Sequence, residues 1–243
     1  MRKKLDPGDI LKPLALEDTM AYRIAWADQY TDVNSFTEPT APKNERARRR
    51  YHFAVGHEFG ATVKRGNRIV ESYVDDALKQ NLDPFLMGIA LHAYQDSWSH
   101  EGYGPETGHM FARHNGHDPD IPALNKESLD KAMEMAEATY GKLAKLAKFY
   151  GCEPLEWKAI EPEVKKLLGT QGSKDGPYRD IGVPFIIPKD EELYRREEEL
   201  RSENWRKAIE QRFHAKVKFS SAGDNDKWAK DFLKAANNRI FVP

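Results

Sequence analysis

Apolar side chains recur along most of this chain every three or four residues rather than every second one, the repeat of helices that each bury one face. Within residues 16–30 the repeat is carried by Met20, Ile24 and Ala27, and within residues 67–80 by Ile69, Val70, Tyr73, Val74, Ala77 and Leu78. The stretch LDPFLMGIALHAYQDSWSH, residues 82–100, opens with Asp83 and Pro84, a side chain suited to an N-cap and a residue suited to the first helical position. Beyond them the stretch is apolar on nearly every side, which predicts a central helix. Residues 125–151 predict a helix from an Asn125 cap to a Gly151 stop, with the stripe Leu129, Met133, Ala136, Tyr140, Leu143, Ala147 and Tyr150. A long charged helix on the surface is expected over residues 189–214, anchored by Leu193, Leu200, Trp205 and Ile209, and a short final helix over residues 225–240. The one strand-like run, VPFIIP at residues 183–188, is flanked by prolines and reads as an extended loop or edge segment. The fold class is all-α: a single multi-helix domain over residues 1–188, with residues 189–243 a charged helical extension packed on it.

Composition narrows the chemistry. The 243 residues hold 38 Lys plus Arg against 39 Asp plus Glu, a balance without the basic excess typical of duplex-DNA binders. The single cysteine, Cys152, excludes an internal disulfide framework and cysteine-rich zinc modules, so histidine and carboxylate have to carry any metal chemistry. No stretch has the length of a transmembrane helix, and Asp6, Pro7, Gly8 and Asp9 interrupt the start where a signal peptide would need an apolar core. The expected location is therefore the cytoplasm, or a destination reached without a signal peptide.

On the central helix, His92, Asp96 and His100 stand at four-residue intervals. Four residues turn an α-helix by about 400° and advance it by about 6 Å, so each of these side chains lies nearly above the last. His92 and Asp96 can share one metal ion, and so can Asp96 and His100. All three cannot easily share the same one, because the histidines lie about 12 Å apart along the axis. The arrangement suits an aspartate bridging two close cations, with one histidine on each. Gly88 and Gly102, near either end, would let further ligands come close. On so apolar a helix, three polar groups left unpaired would be costly to bury, and a metal would satisfy them.

Further candidate ligands are grouped. Seven of the eight histidines fall between residues 52 and 117; His214 stands apart and reads as a surface residue. Asp28 and Asp32 are again four apart, with Asp32 expected in a loop beyond its helix. His52 lies between Tyr51 and Phe53 and is favoured over His57. The segment 108–120 offers His109, His114, His117, Asp118 and Asp120. Tyr94, Trp98 and Tyr103 are candidates to wall a substrate cleft, and Arg48, Arg49 and Arg50 form a basic run beside two aromatics that would suit nucleic acid.

In order along the chain, IAWADQYTDVN, YHF, GIALHAYQDSWSHEGYG and GHMFARHNGHDPDIP resemble the elements SQYVDD, FHF, LHTYADTWSHQGF and GH…PD of a bacterial domain family of unknown function. That family is in turn similar to the helical zinc-dependent phospholipases C and zinc-dependent single-strand nucleases. The likeness covers roughly residues 20–125. It implies an all-α metal-dependent phosphodiesterase with one or two ions, zinc or another divalent metal. The metal ligands it implies are His92 and Asp96, with Asp32 or Asp28 and His52 upstream, and His109 and Asp120 downstream, or else His114 or Asp118. The spacing adds His100. This chain departs from those hydrolases in having no histidine before His52 and in the short interval from Asp96 to His100. The expected base is Asp32, or second Asp28. The expected partners are a phosphodiester substrate, nucleic acid or phospholipid, and a delivery or neutralising protein. The competing reading is a non-catalytic helical domain with a structural metal or a buried His/Asp network.

Overall fold

The computed structural model describes residues 20–39, 45–56, 58–80, 83–109, 119–120, 122, 124–169 and 226–241. Among them there is no strand, and the ordered elements are helical, in agreement with the all-α expectation. Helix α1 is Met20–Val33, α2 Arg68–Lys79, α3 Pro84–Ser99, α4 Lys126–Phe149, α5 Trp157–Gly169 and α6 Asp226–Ala236. Between α1 and α2 a single α-turn, Glu45–Ala47, continues as a π-helical segment, Arg48–His52. A 3₁₀ turn, Arg239–Phe241, follows α6. His57, His114, His117, Asp118, His214, the VPFIIP run and the charged segment 189–214 lie outside the described residues.

Helix α3 is the axis on which the others pack: α1, α2, α4, α6 and the π segment all contact it. Its start is fixed by Asp83, whose side chain accepts from the Phe85 amide at 2.9 Å and the Leu86 amide at 3.4 Å, with Pro84 in the first turn. Every residue from Phe85 to Tyr94 is buried, as a helix apolar on all sides requires. Helix α2 buries Val70, Tyr73, Val74 and Ala77 beneath an Asn67 cap. The last described segment joins the same core. Phe232 of α6 meets Trp26 and Tyr30 edge-on, and Tyr51 donates to the Ala236 carbonyl at 2.7 Å.

Three elements differ from the sequence reading. Helix α1 runs on to Val33, so Asp32 occupies its last turn rather than a loop; Thr31, buried, donates to the Ala27 carbonyl and keeps that turn closed. Helix α4 begins at the expected Asn125 cap, which Ser128 completes as a capping box, but the face it buries most deeply is Ala132, Thr139, Lys142, Leu146 and Ala147. That face also carries an ion-pair contact. Lys142 is drawn inward by Glu71 and by Asp75 at 3.5 Å, with its ammonium 5.3 Å from the centre of the Tyr94 ring. Helix α5, with Pro162 inside it, had no signal strong enough to predict it; Trp157 at its start packs on Tyr140. Among the described residues no helix is long and apolar enough to cross a membrane.

The crossing of α1 and α3 is a close one. A Cβ placed on Gly88 would stand 2.4 Å from the Ile24 carbonyl oxygen, 2.6 Å from the Ala27 Cβ and 2.9 Å from the Asp28 nitrogen. Two of these three are backbone atoms, which cannot swing aside. Gly88→Ala is expected to destabilise the fold at the upper end of the ~1–3 kcal/mol typical of overpacking. Gly141, an exposed position in α4 where an added Cβ meets nothing, is the control. There the alanine substitution should stabilise by roughly 0.5–1 kcal/mol. Denaturant melts of the two variants check both signs.

Candidate metal centres

Because Gly88 lets the backbones touch, one turn further along both helices Asp28 meets His92. Asp28 Oδ1 lies 3.0 Å from His92 Nδ1. The π segment brings in His52, whose Nε2 lies 2.9 Å from the Thr37 carbonyl oxygen. A carboxylate and a carbonyl accept, so the imidazole nitrogen facing each carries the proton. That leaves the inner nitrogens, His52 Nδ1 and His92 Nε2, presenting lone pairs to one another at 3.1 Å. Asp96 Oδ2 lies 3.0 Å from the first and 3.3 Å from the second, and Asp32 Oδ1 lies 3.7 Å and 3.5 Å from them. Four electron-rich atoms therefore converge with nothing but lone pairs between them. Something positive has to stand there, a proton or a metal ion.

The distances fit a metal. Zinc bound to nitrogen and oxygen ligands at about 2.0–2.1 Å in a tetrahedron separates its ligand atoms by about 3.4 Å. Asp32, His52 and His92 form a three-donor group with separations of 3.1, 3.5 and 3.7 Å, and Asp96 stands 3.0 and 3.3 Å from the two histidines. Both histidines also direct their remote N–H to an oxygen acceptor, the arrangement that fixes tautomer and ring orientation in metal-ligating imidazoles. His52 and His92 are buried, whereas the Asp32 side chain is 42 % exposed, so Asp32 is the donor on the solvent side.

A second group stands beside the first. His100 Nε2 lies 3.4 Å from Asp120 Oδ1, and His109 Nε2 lies 3.3 Å from Asp120 Oδ2. The two imidazoles stack at 4.8 Å, and Phe53 stacks on the other face of His100 at 4.3 Å. Gly108, at φ 57°, holds the loop so close to Phe53 that an added Cβ would stand 3.2 Å from its ring, and this seats His109 over His100. His100 Nδ1 lies 3.6 Å from Asp96 Oδ2, but its proton goes to the His52 carbonyl at 3.0 Å. The expected bridge, Asp96 shared between His92 and His100, thus gives way to two groups separated by the His100 ring. Gly102 admits no ligand either; among the described residues nothing comes within 4 Å of where its Cβ would stand.

Other candidates fall elsewhere. Residue 94 lies about 200° around the helix from residue 92. Tyr94 accordingly points to α2, its hydroxyl donating to Glu71 at 3.2 Å, and Trp98 packs beside it in the core. Neither walls a cleft next to His92. Tyr103 does adjoin the second group, 6.0 Å from the His109 ring. Arg48 donates to the Pro105 carbonyl at 2.9 Å and the Pro39 carbonyl at 3.2 Å, tying together the loops that flank the site. Arg49 pairs with Glu45 and Glu106, and Arg50 stands beside the buried Tyr51 hydroxyl. The basic run is engaged within the fold, where sequence reasoning had offered it to a substrate. Lys142 escaped that reasoning altogether, because a lysine on an amphipathic helix reads as solvated.

Without a metal, protons take the cation's place. Burial works to lower the His92 imidazolium, but the charges of Asp96 and Asp32 and the bond to Asp28 outweigh it and hold His92 well above its ordinary value. His100 is pushed up to about 9 in the same way, burial opposing and Asp96 and Asp120 prevailing. Burial would raise Asp96, yet the His92 and His100 charges hold it well below the usual carboxylate range. For Asp28 burial prevails and its carboxyl is raised. For Asp120, burial is outweighed by the His100 hydrogen bond and the His109 charge, and the carboxyl is lowered.

The signs of these shifts set a pH dependence. A histidine raised on folding stabilises fully below its ordinary 6.5, and the contribution fades as pH rises through the folded value, about 9 for His100. Asp96 contributes above its ordinary 3.8 and loses its effect as pH falls. The melting temperature of metal-free protein should therefore fall as pH rises from 6.5 to 9. The increment given by added zinc should grow over the same interval, because zinc competes with protons for the same nitrogens. Thermal melts with and without zinc test both slopes; two flat profiles would contradict the arrangement.

No family model, curated protein or solved structure matches the chain.

Proposed function

We propose that the chain is a metal-dependent phosphodiester hydrolase, with zinc held by His52, His92, Asp96 and Asp32 and a second metal position at His100, His109 and Asp120. The observation that carries this reading is the spacing of the Asp32, His52 and His92 donor atoms, 3.1–3.7 Å, with Asp96 3.0 and 3.3 Å from the two imidazoles, around a point that both rings face with their inner nitrogens. The phosphodiester class rests on the resemblance of the chain's motifs to a family that is in turn similar to zinc phospholipases C and single-strand nucleases. With two carboxylates exposed beside two metal positions, Asp32 and Asp120 open the site toward solvent on the side where an anionic ester would arrive.

Zinc bound there would polarise a phosphoryl oxygen and lower the pKa of an attacking water. His52 and His92 bind with rings already fixed by the Thr37 carbonyl and Asp28. Asp32 stands farthest from the histidine nitrogens and is the most exposed of the four donors, so it is the carboxylate that would take the water's proton. Asp28 acts differently. Its Oδ1 already faces His92 Nδ1, which makes it a positioning residue. With Arg48 and Arg49 engaged by carbonyls and carboxylates, nucleic acid loses the feature that favoured it over phospholipid.

A second reading has an observation of its own. Charged imidazoles and carboxylates at these distances form a self-sufficient buried network, and the raised His92 and His100 with the lowered Asp96 are the signature such a network would have. In that reading the site only pins α1, the π segment and α3 together.

One assay separates the readings. Zinc-reconstituted protein should hydrolyse a chromogenic phosphate bis-ester, with single-stranded nucleic acid and phospholipid vesicles run beside it to identify the substrate. Asp96→Ala should fall to background, and Asp28→Ala should lose about 10- to 100-fold, the usual effect of removing a partner that orients a ligand. Metal uptake without turnover on any ester would make the metal structural. Protein that stays folded and takes up no metal would leave only the hydrogen-bonded network.

A further inference from the structure

His52 takes part in both groups with different atoms. Its ring nitrogen Nδ1 faces Asp96 and His92, while its peptide oxygen accepts from His100 Nδ1 at 3.0 Å. That second bond fixes the His100 tautomer and turns His100 Nε2 toward Asp120. The residue sits at the end of the π-helical segment Arg48–His52, where the Phe53 amide returns to the Arg48 carbonyl at 2.6 Å. A π turn inserted in a helix re-aims the side chains and carbonyls that follow it, and such turns concentrate at functional sites. Ring and carbonyl belong to one rigid unit here, since the ring is held on its far side by Thr37 and Phe53 stacks on His100. Whatever fixes the ring fixes the carbonyl.

We propose that the two centres load in a set order, with metal at His52, His92, Asp96 and Asp32 preparing the centre at His100, His109 and Asp120. The inference rests on the metal-site reading above and concerns its regulation. Burial sets the order: each group offers two imidazoles and one carboxylate that is 42 % exposed, but His52 and His92 are both buried, whereas in the second group only His100 is. Charge does not oppose the second step. Asp32 and Asp96 carry two negative charges, which cancel those of a divalent ion, so filling the first centre leaves no net charge facing the second. The coupling then comes from position. An occupied first centre pins the His52 ring, and the carbonyl holds His100 with its lone pair aimed at the second centre. When the first is empty, only hydrogen bonds to Thr37 and Asp96 hold the His52 ring, so the carbonyl that orients His100 is held less firmly than by a metal-bound ring. Loss of such a partner typically weakens metal affinity by about 10- to 100-fold.

The test is titration of the whole chain with zinc against a competing chelator, and with cobalt(II), whose absorption reports coordination directly. Wild-type protein should bind two ions in two unequal steps. His92→Ala, which removes a first-centre ligand that makes no contact with the second, should weaken second-centre binding by about 10- to 100-fold relative to the wild-type second step. Asp32→Asn, at a partly exposed position that leaves the buried histidines intact, should weaken it in the same direction and guards against a folding defect in His92→Ala. Asp120→Asn should abolish the second step and leave the first unchanged. A second centre that binds as tightly in His92→Ala and Asp32→Asn as in wild type would overturn the coupling, and a first step weakened in Asp120→Asn would overturn the order. Wild-type protein that binds no metal at either centre would overturn the underlying site reading instead.

Discussion

The contact between the α1 backbone and Gly88 sets the geometry of everything around it. A side chain at that position would collide with backbone atoms of Ile24 and Asp28, so glycine is what allows α1 and α3 to lie against each other. Each helix carries a polar pair four residues apart, Asp28 and Asp32 on one and His92 and Asp96 on the other. Four residues is close to one helical turn, so each pair lies along a single face. Bringing the backbones into contact one turn earlier makes the two pairs face each other in register. Without that contact, both would be ordinary polar turns on separate helices.

The rest of the core holds the contact in place. Trp26 and Tyr30 of α1, Phe85 of α3 and Phe232 of α6 form an aromatic cluster on the flank of the crossing. Buried apolar area of this kind is the main force holding the helices together. It has to be, because the polar site on its own favours folding only when its lone pairs have a cation or protons between them. On the other side of α3, the Lys142–Glu71–Asp75 cluster joins α4 to α2 beneath Tyr94. One helix thus separates two polar clusters, and the one at His92 is the cluster whose ring nitrogens face one another.

How much of this could be read from residues alone follows from what each feature depends on. Spacing along one helix is local, so the cap at Asp83, the central character of α3 and the shared face of His92 and Asp96 were all legible. Which neighbour fills the far side of a helix is not local. Tyr94 and Trp98 have the same residue types whether they face a cleft or a core, and only the position of α2 decides between them. The separation of the two histidine groups was hidden for a related reason. It depends on the proton at His100 Nδ1 going to a peptide oxygen of His52, and backbone carbonyls leave no trace in sequence. The inward turn of Lys142 required two acidic side chains from another helix. Asp32 was misplaced into a loop because α1 ends on polar residues, while the bond from Thr31 to Ala27 carries the helix one turn further.

The central claim is that a metal ion belongs between His52 Nδ1 and His92 Nε2, which face each other at 3.1 Å. X-ray diffraction from zinc-soaked crystals, recorded on either side of the zinc absorption edge, tests it directly. The account predicts an anomalous peak about 2.0–2.1 Å from each of those nitrogens and from an oxygen of Asp96, with Asp32 or a water completing the tetrahedron. Zinc-saturated crystals with no peak at that point, and the two imidazoles still hydrogen-bonded to each other, would contradict it.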